Sequence, residues 1–142
     1  MKRTEFILQS LRQNGHRITK ARRALIKALL RTKQPVAALE LHARISKSKV
    51  AIDRVTVYRE LKFLADIGVV HPVNLKDNIQ RYEIAPVSGH KHHLVCTACK
   101  TVKNVNVACA DLHNLEALLG KKNNFIVREH SLEFYGLCAH CA

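Results

Sequence analysis

Two Cys-x-x-Cys pairs, Cys96-Thr-Ala-Cys99 and Cys138-Ala-His-Cys141, constrain this chain more than anything else in it. Each pair forms a tight knuckle with both sulfurs on one side of an ion, and two knuckles complete the tetrahedral tetrathiolate shell that suits zinc. A closed shell leaves no position for substrate or water. Cys96, Cys99, Cys138 and Cys141 are therefore expected to hold a structural zinc, the alternative being a redox dithiol or disulfide pair. His90, His92 and His93 stand just ahead of the first pair. They point to a second, imidazole-rich metal site beside the first.

A metal staple fits the length. At 142 residues the chain makes one domain or two small ones, and either half alone has a thin core. No apolar run approaches the roughly 18 residues that span a membrane, and polar Gln9, Ser10, Arg12 and Gln13 follow the first few residues where a signal sequence would be apolar. The expected location is the cytoplasm. The odd cysteine, Cys109, reads as a small apolar residue in a reducing compartment. Charge is unevenly spread: residues 1 to 85 carry eighteen Lys/Arg against seven Asp/Glu, and residues 86 to 142 carry six against four. A polycationic half beside a nearly neutral one suggests a nucleic-acid module joined to a module with another task.

Along the chain, residues 2 to 14 read as a helix with Phe6, Ile7, Leu8 and Leu11 on one side and Gly15 as a left-handed stop. Thr19 caps a second helix to about Thr32, with Ala21, Leu25, Ala28 and Leu29 inward and Arg22, Arg23 and Lys27 left for water or phosphate. A short third helix from Ala38 to Ser46 is expected to bury Leu39, Leu41 and Ile45. Asp53 then caps a helix from Arg54 to Ile67 whose stripe is Val57, Leu61 and Leu64, and Gly68 ends it. Two β-rich runs follow, 69 to 75 and 80 to 84, joined by Lys76-Asp-Asn78, whose residue types favour a tight turn. Helices followed by a hairpin make a winged helix-turn-helix over residues 1–84. Residues 85–89 have the composition of a hinge. Residues 90–142 read as a small α/β domain: strands around Leu94-Val95 and 102 to 107, a helix from Ala110 to Leu119 with Leu112, Leu115, Leu118 and Leu119 apolar, and a strand from Phe125 to Tyr135 with Ile126, His130, Leu132 and Phe134 on one face. The fold class is thus α+β.

In this order, Gly15-His-Arg-Ile-Thr-Lys-Ala-Arg22, Val55-Thr-Val-Tyr-Arg-Glu-Leu61, Asp66-Ile-Gly-Val-Val70, His92-His-Leu-Val-Cys-Thr-Ala-Cys99, His130-Ser131 and Tyr135-Gly-Leu-Cys-Ala-His-Cys141 resemble the ferric uptake regulator superfamily over nearly the whole chain. The Gly-Leu-Cys-x-x-Cys ending looks most like its zinc-sensing branch. The resemblance implies a repressor that is a homodimer through its second domain and binds an inverted-repeat operator in double-stranded DNA when a regulatory divalent metal, Zn2+ or Fe2+, is bound. Two ligands common in the family are missing: Pro35 stands where a histidine usually precedes the third helix, and Lys91 holds the first position of the usual His-x-His. By position, the other common set falls on His90, His92, His113 and His130, with His113 where Glu is usual.

Two-residue spacing sets His90 and His92 on one side of an extended strand, which is half a metal site. An all-nitrogen set suits zinc and admits cobalt, nickel, copper or iron. A weaker set spans the hinge, Glu83 and His93 with His71 or His42. For DNA, the buried stripe of the fourth helix leaves Arg54, Thr56, Tyr58, Arg59 and Lys62 on its free faces, with its amino-terminal part toward the major groove. By resemblance Tyr58 and Arg59 read bases and Arg17 reaches the minor groove, while Arg22 and Lys62 sit on phosphates. Rival readings are a zinc-ribbon RNA-binding protein, against which stands the lack of an aromatic RNA-binding strand, and a peroxide- or redox-sensing regulator. Enzymes fit poorly. A zinc deaminase needs His-x-Glu and an open zinc position, and a thiol oxidoreductase needs Cys-x-x-Cys opening a helix.

Overall fold

The computed structural model describes residues 2–87 and 91–142, with the Cys109 side chain also outside the description. The chain divides into two compact units, Met1–Ala85 and Pro86–Ala142.

The first unit is a winged helix-turn-helix: α1 (Lys2–Gln13), α2 (Lys20–Leu30), β1 (Val36–Ala37), α3 (Ala38–Ser46), α4 (Arg54–Asp66), and the hairpin β2 (Val70–Asn74) and β3 (Gln80–Ile84). Helix ends follow local chemistry. Gly15, at φ +78°, turns the chain out of α1 while the His16 N–H donates to the Leu11 carbonyl, and Gly68, at φ +74°, does the same after α4 with Val69 donating to Leu64. The Thr19 side chain accepts from the Arg22 N–H at 3.1 Å, and Asp53 Oδ1 accepts from the Thr56 N–H at 2.7 Å. Leu8, Leu25, Ile26, Leu41, Val57, Leu61 and Leu64 meet in one core. Burying such side chains contributes about 1.5–3 kcal/mol each.

Two apolar expectations fail here. Phe6 and Leu39 are 68% and 52% exposed, because Leu8 and Leu11, and Leu41 and Ile45, already fill the inward stripes of α1 and α3. One strand went unforeseen: β1 pairs antiparallel with β3, Val36 opposite Tyr82, giving the sheet order β1-β3-β2. Two residues carry too little alternation to announce a strand. At the hairpin tip Asn78 adopts φ 59°, and Asp77 accepts from the Ile79 N–H and from both Arg81 amino groups.

The second unit contains β4 (His92–Cys96), β5 (Val102–Val105), α5 (Cys109–Asn123) and β6 (Glu133–Gly136). Its sheet runs β5-β4-β6, with β4 antiparallel to β5 and parallel to β6. The long strand expected from Phe125 to Tyr135 is reduced to β6. Asn124, at φ 50°, caps α5 in the left-handed region, and a strand persists only where it has a partner. The described ladder opens with His93 opposite Glu133, so residues 125 to 132 have no regular pairing among the described residues, and Ile126 is exposed. Within the chain α5 buries little, since Leu115, Leu118 and Leu119 all remain about half exposed. No helix among the described residues is long and apolar enough to cross a membrane.

Candidate metal centres and nucleic-acid interface

Cys96 ends β4 and Cys99 lies in the turn after it, while Cys138 and Cys141 form the turn that follows β6. The parallel β4–β6 pairing brings the knuckles together: Thr97 donates to the Gly136 carbonyl at 2.8 Å, and the Cys138 N–H points at Cys96 Sγ at 3.4 Å. Each knuckle closes on itself, with Lys100 N–H donating to Cys96 O and Cys141 N–H to Cys138 O. All four sulfurs lie within 4.8 Å of one another, and Cys99 Sγ is 3.7 Å from Cys138 Sγ. A tetrahedron with zinc–sulfur bonds of about 2.3 Å has edges of about 3.8 Å, so the cradle has the dimensions of a tetrathiolate zinc site. The four thiols are not bonded to one another in this structure.

Electrostatics point the same way. Backbone N–H groups, first that of Cys138, pull the Cys96 thiol down to about 6, whereas the neighbouring sulfurs, first Cys138, push Cys141 up to about 12. Four thiolates this close cannot all ionise unaided. A dication at their centre removes the conflict.

The second cluster forms where β4, α5 and the segment before β6 meet. His92 is fully buried, and its ring stacks on His130 with centroids 5.5 Å apart and planes 9° from parallel. His113 meets His130 edge-on at 6.5 Å. Burial, then the neighbouring His130, lowers the pKa of His92, which favours the neutral imidazole that ligates metals. Glu116 Oε1 lies 2.5 Å from His130 Nδ1, a contact that fixes the proton on Nδ1 and leaves Nε2 as the donor to a metal. Glu116 received no role from the sequence. The signal was its place three residues after His113, on the same helix face. Among the described residues only the four cysteines bring three or more donors within mutual reach, so the histidine cluster must rotate its rings to meet one ion. Its donor set fits a divalent transition metal. His90, the remaining member expected here, lies outside the described residues.

The hinge set divides between the units. His71 and Glu83 face each other across β2 and β3, with Glu83 buried, while His93 is buried in β4 of the second unit. His42 is used locally, its Nε2 lying 3.0 Å from the Ile52 carbonyl.

On α4 the stripe Val57, Leu61 and Leu64 is fully buried. That anchorage leaves Arg54, Tyr58, Arg59 and Lys62 exposed and Thr56 half-buried, while Arg17 is exposed ahead of α2. Val55, overlooked in the sequence as an apolar residue, is 71% exposed in the first turn, a position suited to a thymine methyl. Arg22 requires a correction. Only 8% of it is exposed, and its guanidinium donates to both Glu60 oxygens at 2.8 and 3.4 Å and to the Arg17 carbonyl at 2.5 Å. It lies 3.9 Å over the Phe63 ring and has no free face for a phosphate.

Comparison with known proteins agrees with this architecture. The profile of the Ferric uptake regulator family matches residues 13–135. The peroxide-responsive repressor PerR of Staphylococcus saprophyticus is 33% identical over 94% of this chain and 88% of its own, and the ferric uptake regulation protein of Bacillus subtilis is 27% identical over 98% and 94%. Among solved structures, the Vibrio cholerae ferric uptake regulator superposes with a TM-score of 0.73 at 27% identity, covering 92% of this chain and 98% of that one.

Proposed function

The chain belongs to the ferric uptake regulator family, whose members are transcription regulators and not enzymes, and from that premise we propose that it is a repressor whose grip on an inverted-repeat operator is set by a divalent metal, Zn2+ or Fe2+. The observation that carries the reading is the gathering of His92, His113, His130 and Glu116 from three elements of one unit, in a chain whose other unit presents a basic recognition helix. His92, His113 and His130, with His90, would hold the ion, and Glu116 would orient His130. A bound cation supplies fixed positive charge and coordination bonds across β4, α5 and the segment before β6. Cys96, Cys99, Cys138 and Cys141 hold zinc for structure alone. The hinge set of His71, Glu83 and His93 is the alternative regulatory site.

Metal alters DNA affinity only by binding the DNA-competent arrangement more tightly than the other, and the two affinities change by the same factor. Ordering of the second unit, passed on through residues 85–89, would set the spacing of two winged helices in a homodimer. The half-exposed Leu115, Leu118 and Leu119 of α5 are the surface a second copy would cover. On the DNA, Tyr58 and Arg59 would read bases with Val55 beside them, Arg54 and Thr56 would support the same turn, Arg17 would enter the minor groove, and Lys62 would sit on a phosphate. Such a protein works in the cytoplasm.

The test is selection by the zinc-loaded protein from a random duplex pool mixed with a random RNA pool, with and without added Zn2+ or Fe2+. Enrichment of an inverted repeat only with metal supports the reading; enrichment of RNA over duplex would replace it with the zinc-ribbon alternative. A second reading, a peroxide-responsive repressor, is favoured by the 33% identity to PerR. Release of the selected duplex by hydrogen peroxide at constant metal would select it.

A further inference from the structure

Arg22, expected from the sequence on a phosphate, is buried and takes no direct part in DNA reading. Every contact of its guanidinium turns inward. The Nε and Nη2 groups donate to the Glu60 carboxylate, Nη1 donates to the Arg17 carbonyl, and the plane covers Phe63, with only 10% of the side chain exposed and 15% of that of Glu60. Phe63 is held from a second direction, because the His16 ring meets it edge-on at 5.2 Å. Glu60 and Phe63 belong to α4, and Glu60 directly follows Arg59. His16 and Arg17 belong to the segment between α1 and α2, which Gly15 turns and Thr19 ends as a cap.

We propose that Arg22 is a positioning residue for DNA reading: with Glu60 and Phe63 it clamps the Arg17 segment to α4 and so sets the spacing between the two places where this unit reaches DNA. The inference rests on the DNA-reading role proposed above. An enclosed ion pair gives little net stability, since removing two charges from water costs about as much as their attraction returns, and apolar replacements are often neutral. What the pair does supply is direction. The guanidinium fork fits a carboxylate in one plane while its remaining amino group reaches a carbonyl on another segment. The Arg17 backbone is thereby fixed relative to α4, and its exposed side chain starts from a defined point. Without the clamp, the Arg17 segment and α4 keep their own contacts but lose their common register. The loss then falls on the operator, which demands both contacts at once, and hardly at all on unrelated duplex.

A phosphate contact by Arg22 would behave in the opposite way, lowering affinity for all duplexes and reducing the salt slope by about 1.8, one contact in each protomer of the dimer. The experiment uses the full-length zinc-loaded protein, the duplex it selects from a random pool, and a scrambled duplex, with binding followed by fluorescence anisotropy over a salt series. Arg22→Met is expected to lower the selected-to-scrambled affinity ratio at least about tenfold, on the scale of one good base contact, with the salt slope unchanged. Glu60→Gln, which keeps the shape and removes no positive charge, is expected to lower the ratio by a smaller factor, and it decides by the same criterion if Arg22→Met does not fold. Leu25→Ala, a core change on α2, is expected to lower the melting temperature and leave the ratio intact. An unchanged ratio in Arg22→Met or Glu60→Gln overturns the proposal, as does a slope reduced by about two with the ratio kept. An equal loss of ratio in Leu25→Ala overturns it too, since the effect would then be general destabilisation. Failure of the wild type to select any duplex overturns the DNA-reading role itself, a separate outcome.

Discussion

Arg59→Ala isolates sequence reading from general attraction to DNA. Arg59 follows Tyr58, which is 49% exposed, and the fully buried Val57, Leu61 and Leu64 hold the helix beneath them, so truncation at Arg59 leaves the fold in place. A paired arginine–guanine contact contributes about 1–3 kcal/mol of discrimination. At about 1.4 kcal/mol per factor of ten, that is roughly 5- to 150-fold for one half-site. A symmetric operator holds two such contacts, so the full loss is about 2–6 kcal/mol. The assay is anisotropy on the selected and scrambled duplexes at fixed salt with metal-loaded dimer. The selected duplex should lose affinity by that factor, the scrambled one far less. If Arg59→Ala and Tyr58→Ala both leave the affinity ratio unchanged, α4 is not the reader and the reasoning from its buried stripe fails.

The remaining predictions concern other parts of the chain. Lys62→Ala should weaken both duplexes alike and lower the salt slope by ~1.8, one phosphate contact in each protomer of the dimer, which is roughly 12-fold over a fourfold rise in salt; melting should barely move, since the Lys62–Asp66 pair is an exposed contact within one helix turn. Cys99→Ser should remove the structural zinc, measured by elemental analysis, and with it the folded second unit, because binding to a site absent from the unfolded chain adds directly to folding stability. Asp77→Asn should destabilise the hairpin at pH 7, with the deficit against wild type shrinking in denaturant melts as pH falls from about 4 toward 2. The Arg81 hydrogen bonds hold the Asp77 carboxyl down at about 2 from 3.8, so the wild-type advantage is complete above 3.8 and is lost as pH drops through about 2.

Much of the winged helix was legible because its signals are local. Thr19, Asp53, Gly15 and Gly68 each mark a helix end through their own backbone chemistry, and the stripe Val57, Leu61, Leu64 needs only helical spacing to be read. The cysteine cradle was equally plain, since knuckle spacing fixes sulfur geometry whatever the surroundings. What escaped depends on partners distant in sequence. Arg22 looks like a surface cation until Glu60, 38 residues later, folds against it. Glu116 looks like a solvated helix residue until His130 arrives, and residues 125 to 132 carry a strand's composition but meet no strand among the described residues. Leu39 and Phe6 have the right spacing for burial but lie at the margins of stripes already filled.

The most direct test of metal control is the affinity of the tetrathiolate-zinc protein for its selected duplex as Zn2+, Fe2+ and other divalent ions are added one at a time, for the wild type and for a His92→Ala, His113→Ala double variant. The account predicts that at least one ion raises wild-type affinity tenfold or more, a coupling of about 1.4 kcal/mol, and that the double variant keeps its structural zinc but loses the response. Equal wild-type affinity with and without every metal, or a double variant that responds like the wild type, would contradict it.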